Sequence, residues 1–239
     1  MKSLIFASFT LLPFLIQARP FTNTAGKTIE AEITRATETD VWLRTTNGKV
    51  AKVPLSALSE KDQAFIKTWL KDALPNVKIE PKLARGLKKA KDTTKWASKQ
   101  NFVLTVDFRN DSANLDLEDS EATLFLVGQS TADEKIYRIL AKVTKSISLP
   151  SNGSDTLEFP RIESYYSDRK GFHAISYVLE VKRKRDDKQL HLSSPNAFLK
   201  KRMAEITARQ ANDSTDSTFV KIVEAEGSQF ETQVDLIEK

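Results

Sequence analysis

The chain of 239 residues has no cysteine, two histidines and seven glycines. Without a thiol there is no disulfide, no zinc-thiolate or iron–sulfur site, and nothing for a lipoprotein anchor to acylate. The glycines are Gly26, Gly48, Gly86, Gly128, Gly153, Gly171 and Gly227, and the closest pair is 18 residues apart. Phosphate cradles need glycines only a few positions apart, because the backbone must bend and approach the ligand without a Cβ. GxGxxG, GxxxxGK[ST] and the GxSxG elbow are therefore all absent. His173 and His191 are also 18 apart, which excludes HExxH. These absences leave no support for catalysis, and no cofactor or metal is expected.

Long hydrophobic runs are scarce as well. The exception is Leu4–Ile16, 13 uncharged and mostly apolar residues preceded by Lys2 and followed by the small residue Ala18. As a helix it would rise roughly 20 Å, short of the roughly 30 Å hydrocarbon core. The pattern predicts a cleavable signal peptide over 1–18 and a secreted or periplasmic mature chain with no membrane span. Small exported domains with poor cores usually carry disulfides. A cysteine-free chain with 40% hydrophobic residues must instead bury enough apolar surface unaided.

The formal net charge of +5 is local in origin. Residues 19–72 are net +2 and residues 101–239 net −4, whereas residues 73–100 carry eight basic and two acidic side chains. This segment holds Pro75, Pro81 and Gly86, and reads as a basic interdomain linker over 73–99.

Ahead of it, Ile29, Ala31 and Ile33 alternate with Glu30, Glu32 and Thr34, the signature of a half-buried strand. Asp40–Thr45 and Lys49–Leu55 follow as strands joined at Asn47-Gly48, where a two-residue type I′ hairpin is predicted. Ser59, with Asp62 three residues on, opens a helix bearing Phe65, Ile66, Trp69 and Leu70 on one stripe. The result is a small β-meander closed by a helix, over 19–72.

Phe21-Thr22, Gly26, Glu30-Ala31, Asn47-Gly48, Val53-Pro54-Leu55-Ser56, Leu58-Ser59, Asp62 and Phe65-Ile66 together resemble the SLA1 homology domain 1 (SHD1) family in its exported bacterial form. The resemblance spans about residues 19–71. It implies an SH3-like barrel and binding of a protein or peptide partner, as eukaryotic members bind short sorting peptides. No binding residue is transferred by it.

From 100 to 208 the alternation is again of strand type: Phe102 to Phe108, Leu124 and Leu126, Tyr137 to Val143, Leu157 and Phe159, Ile175 to Val181, Leu190 and Leu192. Six or so strands at this spacing predict an antiparallel β-sandwich of immunoglobulin-like size. Ser194-Pro195 is expected to cap a helix carrying Phe198, Leu199, Met203 and Ile206. Residues 209–239 are expected to form an extra hairpin or an acidic tail. The fold class is thus mainly β: a small SH3-like barrel with a closing helix, linked to an immunoglobulin-like sandwich with a C-terminal helix.

Trp42 sits between Val41 and Leu43 and so faces away from them on a strand. It is either an exposed aromatic platform of the kind peptide grooves use, or packed beneath the helix near Trp69. Phe21 and Trp69 join it as candidate partner-binding residues. Lys82, Arg85, Lys88, Lys89, Lys91 and Lys95 are candidate ligands for an anionic envelope polymer, with Lys182 to Arg185 as a possible supplement. Without a nucleic-acid motif, and with export, nucleic acid is not an expected partner. A carbohydrate-binding alternative would use Tyr165, Tyr166 or Trp96 as a coplanar platform. The carboxylates Asp107, Asp111, Asp116, Glu118, Asp119 and Glu121 lack EF-hand spacing and read as a polar connection. His173 reads as a surface histidine.

Overall fold

The computed structural model of the chain describes residues 18–89, 96–113 and 115–238, so the expected signal segment up to residue 17, and with it Lys91 and Lys95, lies outside the described residues. The described chain is mainly β, with antiparallel sheets, and it divides after Ala73 into two units.

In the first unit, β1 (Arg19–Thr22), β2 (Thr28–Ala36), β3 (Asp40–Thr45) and β4 (Val50–Pro54) form a sheet in chain order. A 3-10 turn, Leu55–Ala57, leads into α1 (Glu60–Asp72). The period-2 pattern sorts the side chains: Ala31, Ile33, Val41 and Leu43 are buried with Phe21, Leu55, Leu58 and Ile66 in one core. At the β3–β4 turn only Gly48 has positive φ, 82°, and its N–H donates to the Thr45 carbonyl. This is a type I turn followed by a left-handed glycine, not the type I′ turn expected, which would need positive φ at Asn47 as well.

Ser59 caps α1 as its sequence predicts, its Oγ accepting from the Asp62 N–H. Asp62 does more than decorate the first turn. Its buried carboxylate accepts from Arg19 Nη2 at 2.7 Å, from the Thr22 N–H at 2.8 Å and from Ser59 Oγ at 2.8 Å. One side chain thus ties β1 to the start of the helix.

The second unit runs from β5 (Val77–Lys89) and β6 (Ser98–Asn110) through β7 (Leu117–Ser130), β8 (Tyr137–Leu149), β9 (Ser154–Glu158), β10 (Arg161–Ser167), β11 (Lys170–Arg183) and β12 (Lys188–Ser193). It ends with α2 (Ala197–Lys200), α3 (Met203–Thr207), β13 (Ser214–Thr215) and β14 (Gln233–Ile237). The path is β13-β8-β7-β11-β10-β6-β5, with β12 on β11, β14 on β10 and β9 on β6. β10 and β11 pair only through Tyr166↔Gly171 and Ser167↔Lys170. The strands on either side of that hairpin share one core: Phe102, Leu104, Val106 and Phe108 of β6 pack with Leu124 and Leu126 of β7 and Leu179 and Val181 of β11. Both stretches of this ten-stranded path thus contribute to common apolar contents.

A separate cluster lies on the other face of β7, β8 and β11. Phe125, Val127, Ile139 and Val178 are covered there by Leu199, Ile206 and Phe219. Burial on both faces explains why β7 and β11 read as near-continuous apolar runs.

Three expectations are corrected. The basic segment is not a linker: all of β5 pairs with β6, from Val77↔Asn110 to Lys89↔Ser98. Val77, Ile79 and Leu83 pack on the core while Lys78, Glu80 and Lys82 are exposed, and Pro81 is tolerated because β5 ends the sheet path. The cap of the C-terminal helix is Asn196, whose Oδ1 accepts from the N–H groups of Phe198 and Leu199. Ser194 instead donates to the Tyr177 carbonyl at 2.6 Å, and the helix breaks into α2 and α3. Residues 209–238 form no hairpin around Gly227 and no loose tail: the segment turns back locally through the bridge Thr215↔Ile222, β13 pairs with β8 and β14 with β10, strapping it across the unit.

Candidate functional site

On the outer face of the first sheet a β-bulge between Ile33 and Arg35 shifts β2 by one position, so that Arg35 stands opposite Trp42. Trp42 is also opposite Lys52 on β4. The three strands therefore set a cation, an indole and a second cation in a row. The Arg35 guanidinium carbon is 4.7 Å from the Trp42 ring centroid and Lys52 Nζ 5.2 Å from it. A cation over an indole is held by the ring quadrupole, by about 0.5–1 kcal/mol at an exposed site. Thr34 Oγ1 donates to the Trp42 carbonyl at 3.2 Å and fixes the strand locally.

The charges around this row are unevenly matched. Asp40 pairs with Lys52 at 3.2 Å and Glu32 with Arg44 at 3.2 Å. Among the described residues no carboxylate pairs with Arg35. The row thus offers an ordered guanidinium whose charge has no partner, beside an aromatic ring.

The other two aromatics of the expected set lie elsewhere. Phe21 is 1% exposed and belongs to the core, since its alternation on β1 turns it inward, so it is not a contact residue. Its ring is 6.3 Å from that of Phe65, and Arg19 lies 3.8 Å over the Phe65 ring. Trp69 is half-buried on α1 and packs on the core cluster, to which Trp42 does not belong.

In the second unit the basic residues do not converge. Lys82 and Lys88 occupy one face of β5, Arg85 and Lys89 the other, by the period of the strand. Lys82 Nζ donates to Asp107 at 2.5 Å, a hydrogen bond that raises the lysine's pKa and lowers the aspartate's. Lys182, Arg183 and Lys184 meet Glu180, Asp186 and Asp119. The Arg183 hydrogen bond at 2.5 Å holds the Asp186 carboxyl down to about 2.

Tyr165 and Tyr166 are consecutive on β10 and face opposite ways, so they cannot form one platform. Tyr165 donates to Glu163 at 3.0 Å, and its phenol is pushed up to about 12, first by burial and then by that carboxylate. Trp96 is 3% exposed and donates from Nε1 to Gln233 at 2.8 Å, which closes it off as a binding ring. His173 is half-buried with its ring 6.1 Å from that of Tyr166, and burial lowers its pKa. Asp116 accepts from the Ser151 N–H, and Asp111 pairs with Arg109 and Lys78. Among the described residues no group of three or more acidic or histidine side chains is placed to hold a metal ion.

Sequence reasoning singled out Trp42 but not Arg35 or Lys52. Lys52 follows from pairing β3 with β4, whereas Arg35 reaches the ring only because of the bulge, which leaves no pattern in the sequence. The chain matches no family model and no curated protein.

Proposed function

We propose that the N-terminal unit is an SHD1-type, SH3-like recognition module that binds an acidic peptide segment of a protein partner. It is carried on an exported, non-catalytic protein whose second unit is an immunoglobulin-like sandwich. The carrying observation is the Arg35–Trp42–Lys52 row, which sets an unpaired guanidinium beside an indole on an outer sheet face. An Asp or Glu carboxylate fits Arg35 as a charge-assisted, bidentate partner, while an apolar neighbour in the peptide rests on the indole edge. Support for the family reading comes from where its shared positions fall. Phe21, Ala31, Leu55, Leu58 and Ile66 are core residues, and Asp62 ties the helix to β1.

The test is fluorescence anisotropy of the full chain against labelled seven-residue peptides, acidic, neutral and basic. Acidic peptides should bind, and Arg35→Glu should abolish binding while costing no more than about 1 kcal/mol of stability, the size of the lost contact with Trp42. Equal binding of all three peptides, or of the acidic peptide by the variant, would refute the assignment.

A further inference from the structure

The second unit contains a guanidinium that the proposed peptide site does not use. Arg138 lies on β8 between the buried side chains of Tyr137 and Ile139. Its guanidinium carbon is 4.3 Å from the centroid of the buried Phe172 ring. Nε donates to Ser214 Oγ at 2.6 Å, and Nη1 to the Phe230 carbonyl at 2.9 Å and to Thr232 Oγ1. Those three acceptors belong to the C-terminal strap and hold the group in one orientation. None of them is charged.

Nη2 is left over. Among the described residues it donates to no acceptor, and no carboxylate pairs with Arg138. Nη2 is also not among the polar atoms sealed from solvent without a partner. Burial pulls the Arg138 pKa below its ordinary value, because desolvation disfavours the charge. A half-buried cation with an open pair of N–H groups gains most from an anion brought to that edge.

Arg138 lines a depression of about 650 Å³, together with Asn212, Gly227, Ser228, Glu231 and Thr232 among others. The side chains of Asn212 and Ser228 make no hydrogen bond to the described chain, and both are exposed. Glu231 is the one acid of the lining, and Lys170 holds it at 3.4 Å. Arg138 is thus the one cation of the lining, and the one acid is already engaged by Lys170. The depression thus gathers a guanidinium edge, an amide and a hydroxyl whose donors the described chain leaves unused.

We infer that the depression over Arg138 is a binding site for an oxyanion, a carboxylate or phosphate group held by Arg138 Nη2 with Asn212 and Ser228. Arg138 keeps its strap bonds while doing so, because the anion takes only the edge they leave open.

The experiment is a titration of backbone amide resonances of the full chain, at constant ionic strength, with inorganic phosphate, with acetate and with chloride. Saturable shifts confined to Arg138, Asn212 and residues 227–232 are expected. Asn212→Gly with Ser228→Ala should weaken binding about fivefold, as loss of about one net hydrogen bond implies, glycine being chosen because Asn212 has φ 70°. Neither side chain bonds within the described chain, and glycine accepts the positive φ of Asn212, so this variant leaves the strap's hydrogen bonds in place. Saturation by phosphate alone assigns the site to phosphoryl groups, and saturation by acetate as well assigns it to oxyanions in general. No saturation up to about 50 mM phosphate or acetate, equal shifts with chloride, or unchanged affinity in the variant overturns the inference.

Discussion

Replacing Asp62 with Asn keeps the shape of the side chain and removes its charge, at the point where β1 is tied to α1. The carboxylate is 4% exposed and accepts three hydrogen bonds, from Arg19, the Thr22 N–H and Ser59. An amide has one acceptor oxygen, so at least one of these donors must face an N–H₂ group. If the amide nitrogen faces Arg19, a charge-assisted bond of about 1.5–3 kcal/mol is lost. The lower part of that range applies, because the Arg19 side chain is 26% exposed and partly hydrated. If it faces Thr22, a backbone N–H loses its partner at about 1–3 kcal/mol, while Ser59 can rotate to accept. Loss of a negative charge in the first helical turn adds about 0.3–1 kcal/mol. The sum is about 1.3–4 kcal/mol, taken from the first unit alone. Native-state hydrogen exchange of β1 and α1 amides reads that unit without interference from the second. Pairing Asp62→Asn with Arg19→Gln in a double-mutant cycle should show a coupling of about 1–2 kcal/mol. A loss under about 1 kcal/mol, or additivity of the two changes, would show that Asp62 merely fills space.

Two further outcomes follow from the second unit. Gly128→Ala places a Cβ 2.7 Å from Leu140 Cδ1 and 2.9 Å from its Cγ, and Leu140 is itself buried. Denaturant unfolding should show a loss of about 1–3 kcal/mol, whereas Gly86→Ala, whose nearest neighbour is 3.7 Å away, should stay within about 0.5 kcal/mol. Equal effects would show that the core near Leu140 yields freely. The Asp186 carboxyl, held at about 2 by Arg183, should titrate there in a carbon-detected NMR experiment and return toward about 3.9 in Arg183→Gln. Because the folded pKa is depressed, its contribution to stability is full above about 3.9 and fades as the pH falls through about 2. A wild-type midpoint near 3.9 would remove that dependence.

How much of this was legible in the sequence can be traced through particular residues. The strands β2, β3 and β6 were readable because each buries every other side chain against a core, and β8 and β11 because apolar residues fill long stretches of strands buried in part on both faces. The start of α1 was readable because Ser59 and Asp62 are capping residues at capping spacing. β5 escaped because an edge strand keeps Lys, Glu and Pro on its open side, and those residues also mark linkers. β13 and β14 escaped because two and five residues carry too little periodicity, and their partners β8 and β10 lie about 70 positions earlier. Of the candidate site, Trp42 was legible from Val41 and Leu43. Arg35 was not, since a bulge decides its place, and Arg138 was not, since its acceptors Ser214, Phe230 and Thr232 come from that distant strap.

The strand pairings of the second unit differ in how soon they can be completed. β7 with β8 and β11 with β12 are hairpins of neighbours, available as soon as each stretch of chain emerges during synthesis. The β10–β14 pairing forms only when Gln233–Ile237 arrives beside Arg161–Tyr165. Contacts this distant in sequence slow folding, because the loop entropy is lost before the pairing is gained. Until then β10 carries an open edge that can recruit the wrong strand, so the unit depends on prompt delivery of its last few residues to stay unaggregated.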